Sequence, residues 1–271
     1  MSSTTFHTLF PQSKPVIGMI HVAALPGTPN YSGNREQILT TAMEEGDIYL
    51  RAGVEAILIE NMHDRPYLLR QVGPEITSFL AVIGYELKRL VKIPCGVQVL
   101  AGANQEALGV AQAAGLDFIR AEGFVFAHVA DEGHMDADAG PLLRYRKQID
   151  AEDILIFTDI KKKHSAHALT QDVSLIDTAL TAEFFLSDGI IITGTMTGTP
   201  AKVEALQEIK TAIKLPVLVG SGVTLKNMEN YLPLVDGLIV GSHFKKQGNW
   251  FNPVDYDRVA RFMDRVRELR S

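Results

Sequence analysis

AGVEAILIEN (52–61) decides the fold, because variants of it recur as AGLDFIRAEG (114–123), LSDGIIITGT (186–195) and LVDGLIVGSH (234–243). In each copy a helix-like stretch ends at a small or acidic residue, and the chain then enters a run of apolar residues. A second phrase alternates with the first: KPVIGMIH (14–21), KIPCGVQVL (92–100), EDILIFTDI (152–160) and KLPVLVGSG (214–222). Eight apolar strands separated by amphipathic segments predict an α/β fold, a closed parallel (β/α)8 TIM barrel.

The turn residues and the helical periodicity set the element boundaries. We predict strands at 16–21, 54–60, 96–100, 116–121, 154–159, 189–193, 217–220 and 237–240. Helices are predicted at about 35–52, 75–91, 104–113, 140–150, 172–184, 200–212, 224–231 and 253–269. No linker or low-complexity tract interrupts the 271 residues, so we expect one barrel domain over 1–271, with 1–14 as an N-terminal extension.

Composition excludes several classes of protein. The net charge of −6 disfavours a nucleic-acid or anionic-membrane binder, which would carry basic clusters. A single cysteine, Cys95, excludes an internal disulfide framework. No apolar run reaches the roughly 20 residues that span a bilayer. The first residues resemble neither a secretory signal nor a mitochondrial presequence, so we expect a cytoplasmic protein.

Polar residues at the carboxyl ends of the strands are the catalytic candidates, because those ends meet at one mouth of such a barrel. The candidates are Asp159, Lys161, His164, Glu60 and Glu122. Asp159 and Lys161 are two residues apart, so strand alternation predicts that both face the mouth. A lysine beside other cations can act as a base or as a Schiff-base nucleophile. Binding of an anion is the alternative role for Lys161.

Glycine-rich turns after strands seven and eight predict a phosphate site. Glycine leaves the backbone uncovered, as in phosphate-binding barrels. The residues concerned are Gly220, Ser221, Gly222, Gly241 and Ser242, with Lys245 as a cation. Tight turns required by close packing are the alternative.

Further binding candidates lie elsewhere on the predicted rim. Gly194, Thr197 and Gly198 suit a diphosphate or a sugar, or else cap the following helix. The others are His21, Asn61 and Arg120. An internal ion pair with Glu122 or Glu60 is the alternative for Arg120.

No cofactor is predicted, and we assign no metal ligand. The loop after strand four, a candidate lid, is rich in oxygen ligands that suit a divalent cation: Asp131, Glu132, His134, Asp136 and Asp138. An exposed acidic loop is the simpler interpretation. His164 and His167 alone are a weak metal motif, since further ligands would have to come from elsewhere.

Several segments resemble the BtpA/SgcQ family over nearly the whole chain. They are PVIGMIHVAALPGTP (15–29), AGVEAILIEN, FIRAEGFVFAHVADEG (118–133), FTDIKKKHSAH (157–167), ITGTMTG (192–198) and LVGSGVT (218–224). The resemblance implies a TIM-type barrel. One member class is associated with photosystem I biogenesis and another with sugar uptake and metabolism, but the resemblance implies no reaction. The strand-end positions it covers are His21, Glu60, Asn61, Arg120, Asp159, Lys163, His164, Gly194, Gly198, Gly220, Ser221, Gly222, Gly241 and Ser242.

Three functions follow as hypotheses. The first is an enzyme of the lyase, isomerase or glycosyl hydrolase type that acts on a phosphorylated sugar, a nucleotide or a similar anionic metabolite. The second is a noncatalytic assembly factor with a photosystem I role. The third is a metal-dependent hydrolase. The expected partner is a small anionic metabolite, and pairing into a homo-oligomer is left open.

Overall fold

The computed structural model describes residues 5–193, 203–220 and 222–270. Eight parallel strands close into one barrel in the order β1-β8-β7-β6-β5-β4-β3-β2, which confirms the predicted fold class. The strands are β1 Val16–His21, β2 Ala56–Glu60, β3 Cys95–Gln98, β4 Phe118–Ala121, β5 Leu155–Ile160, β6 Gly189–Ile192, β7 Val217–Val219 and β8 Gly237–Val240. Their carboxyl ends therefore share one mouth, as the site prediction requires.

Helices alternate with the strands and cover the barrel. They are α1 Phe6–Leu9, α2 Arg35–Ala52, α3 Pro74–Val91, α4 Asn104–Ala114, α5 Ala139–Gln148, α6 Leu175–Phe184, α7 Val203–Ala212, α8 Met228–Tyr231 and α9 Tyr256–Arg270. Local chemistry fixes their ends. Pro74 starts α3, Ser174 caps α6 through the backbone N–H of Asp177, and Gly53 ends α2 at a φ of 81°.

The N-terminal segment closes the floor of the barrel. Phe6 and Phe10 are buried and pack against Phe118 and Phe157, with ring centroids 5.9 to 6.4 Å apart. Residues from seven of the eight barrel strands complete this interior cluster, among them Leu58 on β2. The floor and interior are thus apolar, and the polar residues gather at the opposite end.

Most elements differ from their predicted boundaries by one to three residues at one or both ends. The fourth strand, for example, begins at Phe118, and the Asp117 carboxylate before it accepts from the backbone N–H of Cys95. The loop after β4 contains two short strands, His128–Ala130 and Gly133–Met135, and Ser165–Ala166 pairs with the first of them. We call these three strands the rim sheet. The helix predicted at 224–231 is only the four-residue α8.

Candidate functional site

Two neighbouring cavities open at the barrel mouth. The first, which we call the glycine chamber, has a volume of about 300 Å³, and Gly220, Gly222, Gly241 and Ser242 contribute to its wall. The second, the polar chamber, has a volume of about 370 Å³ and lies beneath the loop of the rim sheet. The residues common to both walls are Glu60, Met62, Arg120 and Lys163. A ligand in one chamber would therefore meet the same charged groups as a ligand in the other.

Part of the wall of the glycine chamber is backbone, because the glycines there carry no side chain. Gly222 has a φ of 73°, a conformation that favours glycine. A Cβ atom at Gly241 would lie 3.3 Å from Nε2 of His21, so a side chain there would intrude on the chamber. Arg258 adds a cation to the wall, and its Nε donates to the carbonyl oxygen of His243 at 2.7 Å.

A bidentate ion pair joins β4 to β5. Nη2 of Arg120 lies 3.0 Å from Oδ1 of Asp159, and Nε lies 3.1 Å from Oδ2. Burial opposes the charged form of Arg120, but the carboxylate of Asp159 keeps the pKa of Arg120 above its ordinary value. Asp159 is therefore the ion-pair partner of Arg120, in place of the Glu122 or Glu60 proposed from sequence.

A second ion pair occupies Glu122. Nζ of Lys162 lies 3.2 Å from Oε2 of Glu122, and both side chains line the polar chamber. Burial alone would raise the pKa of Glu122, but Lys162 and Arg120 hold it below its ordinary value. Glu122 is thus a carboxylate at neutral pH.

Glu60 and Lys163 are shifted in opposite directions. Burial raises the pKa of Glu60, and the charges of Arg120 and Lys163 only partly oppose the rise. Burial and the charge of Arg120 lower the pKa of Lys163. Both shifts move toward neutral pH, which is the pattern of a proton donor and acceptor that share a site.

His21 stands beside Glu60 as a neutral ring. Burial and the charge of Lys245 lower the pKa of His21 well below its ordinary value. Nδ1 lies 3.3 Å from the carbonyl oxygen of Trp250, which can only accept, so we assign the ring hydrogen to Nδ1. Nε2 is then an acceptor, 3.8 Å from Oε2 of Glu60 and directed to the glycine chamber.

Some predicted residues lie away from both chambers. β5 ends at Ile160, and Lys161 has a φ of 46°, so strand alternation no longer applies to Lys161. Its Nζ donates to the carbonyl oxygen of Thr170 at 2.7 Å. Lys161 and Asp159 line a separate cavity of only about 20 Å³. The expectation that both face the open mouth is therefore wrong for Lys161, whereas the Asp159 carboxylate is bound to Arg120, which borders both chambers.

Asn61 and Lys245 are also used within the protein. Oδ1 of Asn61 accepts from the backbone N–H of Leu100 at 2.7 Å, and its Nδ2 donates to Asp64 at 2.9 Å. Lys245 is fully buried, and its Nζ lies 2.7 Å from Oε2 of Glu45. Lys245 therefore does not reach the glycine chamber as the proposed cation.

The remaining predicted residues are divided between the chambers and the undescribed part of the chain. His164 lines the polar chamber. Gly194, Thr197, Gly198 and Ser221 lie outside the described residues. The sequence candidates omit Lys162 and Arg258, because neither follows a strand end at the alternating positions. From sequence, Lys163 stands out only because it lies in a segment that resembles the BtpA/SgcQ family.

Within residues 5–193, 203–220 and 222–270, no group of three or more His, Cys, Asp or Glu side chains is arranged to hold a metal ion. In the acidic loop, Asp138 instead accepts from Nη1 of Arg70 at 2.7 Å. The described helices include none that is both long and apolar enough to cross a bilayer.

Comparisons with known proteins agree with the barrel. The sequence model of the BtpA family matches residues 12–268. An uncharacterised mitochondrial protein of Caenorhabditis elegans is 47% identical over 268 residues, which cover 97% of this chain and 96% of the relative. The photosystem I biogenesis protein BtpA of Synechocystis is 33% identical, with 96% of this chain and 90% of that protein covered.

Solved structures extend the likeness in fold. The thiamine phosphate pyrophosphorylase of Pyrococcus furiosus superposes with a TM-score of 0.59 at 16% identity. The match covers 95% of this chain and 97% of that one. At this identity the likeness concerns the barrel alone.

Proposed function

The chain belongs to the BtpA family, and from this premise we propose that it is an enzyme that transfers a proton on a phosphorylated small metabolite. One observation carries the proposal. The backbone wall of the glycine chamber and the pair Glu60 and Lys163 border the same cavity. An anion held by the wall would thus place the rest of its molecule beside two groups that can exchange protons.

The phosphate is assigned to the turns after β7 and β8. Gly222 and Gly241 present backbone without side chains there, and Arg258 contributes positive charge. The N–H of Gly220 is not available, because it donates to the carbonyl oxygen of Ile192 at 3.1 Å. Backbone amides and a cation are the usual partners of phosphate in proteins. The Pyrococcus furiosus neighbour is named as a thiamine phosphate pyrophosphorylase, and this name supports the assignment by analogy of fold only.

The proton transfer is assigned to Glu60 and Lys163, with His21 as a neutral acceptor beside them. Lyase, isomerase and glycosyl hydrolase reactions all need such a donor and acceptor. Asp159 is engaged by Arg120, and Lys161 faces another cavity, so we propose structural roles for both. We also propose that the negative charge of Glu122 and the positive charge of Arg120 partly offset each other in their effects on Glu60 and Lys163.

The phosphate site is tested by introducing a negative charge at a side chain in its wall. Ser242→Asp places a carboxylate in the glycine chamber, and Ser242→Asn is the matched uncharged control. We expect inorganic phosphate, followed by ³¹P NMR titration, to bind Ser242→Asp at least about tenfold more weakly than wild type. Ser242→Asn should stay within about threefold. Equal binding by wild type and Ser242→Asp would refute the site.

A noncatalytic assembly role is the second candidate, and the name of the Synechocystis relative is the observation that favours it. It predicts that Glu60→Gln and Lys163→Met still complement a strain that lacks the protein. The proposed enzyme predicts that both variants fail while they accumulate to normal levels. A cytoplasmic location and a homo-oligomer stay predictions; the nematode relative carries a mitochondrial name.

A further inference from the structure

Two residues in the wall of the polar chamber, Gln98 and Glu132, each have a buried side-chain oxygen without a hydrogen-bond partner among the described residues: Oε1 of Gln98 and Oε2 of Glu132. Gln98 is the last residue of β3, and only 1% of it is exposed. Glu132 belongs to the loop between the two longer strands of the rim sheet. The two side chains therefore contribute to the chamber wall from independent parts of the fold.

Unpartnered buried acceptors are costly, because each has lost its water without gaining a donor. A chamber of about 370 Å³ has ample room for a ligand that supplies the missing donors. Both atoms are oxygens, so the missing groups are hydrogen-bond donors. The Gln98 amide can also turn to present its NH₂ group, and this suits a ligand group that both donates and accepts.

A hydroxyl group is such a donor and acceptor. The rest of the wall is suited to several hydroxyl groups, since it carries both cations and carboxylates, including Lys162, Lys163 and Glu122. A flat heterocycle would instead need an open aromatic face. The indole of Trp250 already packs on Phe251 and His63, with ring centroids 3.7 and 5.0 Å away.

We propose that the polar chamber binds the hydroxyl groups of a sugar phosphate, with Gln98 and Glu132 accepting hydroxyl hydrogens while the phosphate lies in the glycine chamber. This inference rests on the proposed function. Glu60 and Lys163 border both chambers, so they stand between the phosphate and the hydroxyl groups. The reacting carbon of the sugar is then held beside the proposed donor and acceptor.

Calorimetric titration of the full chain tests the inference with five probes: ribose 5-phosphate, glucose 6-phosphate, butyl phosphate, inorganic phosphate and uridine monophosphate. Wild type should bind at least one sugar phosphate about tenfold or more tightly than butyl phosphate, because butyl phosphate lacks the hydroxyl groups. Gln98→Met should remove this preference and keep the affinity for inorganic phosphate within about twofold. Gln148→Met, an exposed glutamine of α5, is the control and should behave as wild type.

A second variant guards against misfolding of Gln98→Met, since Gln98 is deeply buried. Glu132→Met alters the loop of the rim sheet and should also reduce the preference for the sugar phosphate. Glu86→Met, on the exposed side of α3, is its control. Equal affinity of wild type for butyl phosphate and both sugar phosphates would overturn the inference and assign the two oxygens to bound water.

Two other outcomes are also decisive. Tighter binding of uridine monophosphate than of either sugar phosphate would overturn the inference in favour of a nucleobase site. Failure of inorganic phosphate and of every ester to bind would refute the proposed function itself. The hydroxyl preference and the phosphate affinity are separate readouts, so the two failures are distinguishable.

Discussion

Arg120 on β4 and Asp159 on β5 form a bidentate ion pair across adjacent strands, with Nη2 and Oδ1 3.0 Å apart. Both side chains are almost fully buried, so solvent screens the attraction between the two charges only weakly. The pair therefore fixes the guanidinium that borders both chambers. Its loss would affect the stability of the barrel as well as the site.

Arg120→Met is expected to lower the free energy of unfolding by about 3–5 kcal/mol, because it leaves the Asp159 carboxylate buried without its partner. The double variant Arg120→Met/Asp159→Leu should recover part of this loss, since it removes both charges. Guanidinium unfolding followed by circular dichroism gives the comparison. A double variant that is less stable than Arg120→Met would contradict the explanation.

Glu60 and Lys163 should give activity a bell-shaped dependence on pH. The base is lost as pH falls through the raised pKa of Glu60, and the acid is lost as pH rises through the lowered pKa of Lys163. Deuterium incorporation into a bound sugar phosphate, measured by NMR, reports the proton transfer. Glu60→Gln should reduce its rate about 10²-fold or more and remove the acidic limb. An unchanged acidic limb in Glu60→Gln would rule Glu60 out as the base.

Lys245→Met should destabilise the barrel, although Lys245 is not among the residues that line either chamber. Nζ of Lys245 is buried against Glu45, and its removal leaves that carboxylate uncompensated. We expect a loss of about 3–5 kcal/mol in the free energy of unfolding. Lys246→Met, at the adjacent exposed position, should stay within about 0.5 kcal/mol of wild type. Equal stability of the two variants would mean that the buried pair contributes little.

Three histidines should each lower the free energy of unfolding as pH falls from about 6.5 to about 4, while burial raises the pKa of Asp138 to about 6 and this shift acts in the opposite direction. Burial lowers the pKa of His63, His128 and His243 to about 4 in the folded protein. The unfolded chain binds protons at these rings near pH 6.5, so acid favours unfolding across this window, and the stability is fully present above it. Urea unfolding at several pH values gives the slope. His128→Asn should reduce that slope, and an identical slope would exclude His128 as a contributor.

Phe10→Ala should test the floor of the barrel. Phe10 is only 4% exposed and packs on Phe118 and Phe157, so its truncation leaves a cavity. We expect a loss of about 3–5 kcal/mol in the free energy of unfolding. Phe184→Ala is the control, because Phe184 is 81% exposed. Similar unfolding midpoints for the two variants would mean that the N-terminal segment is not held in the barrel.

The fold was predictable because apolar strands and amphipathic helices repeat along the chain. β1 and β8 begin and end at the predicted residues, and α2 does as well. The rim sheet was not predictable, since its strands have only two or three residues and their pairing depends on contacts between distant loops. The length of α8 was not predictable either, because tertiary packing sets the length of a helix whose sequence is only weakly periodic.

The site was predictable only in outline. The strand-end rule brought Glu60, Arg120 and Gly241 to one cavity wall. It did not apply beyond Ile160, where the backbone leaves the strand and left-handed φ values at Lys161 and His164 redirect the side chains. Partners across the barrel, such as Asp159 for Arg120, depend on side-chain reach as well as on strand order.

The aromatic floor formed by Phe6 and Phe10 has a kinetic consequence. With that end sealed, the substrate and the product of the proposed enzyme would have to pass through the same opening. Turnover would then require each product to vacate the pocket before the next molecule could enter. Product added to an assay should accordingly act as a competitive inhibitor.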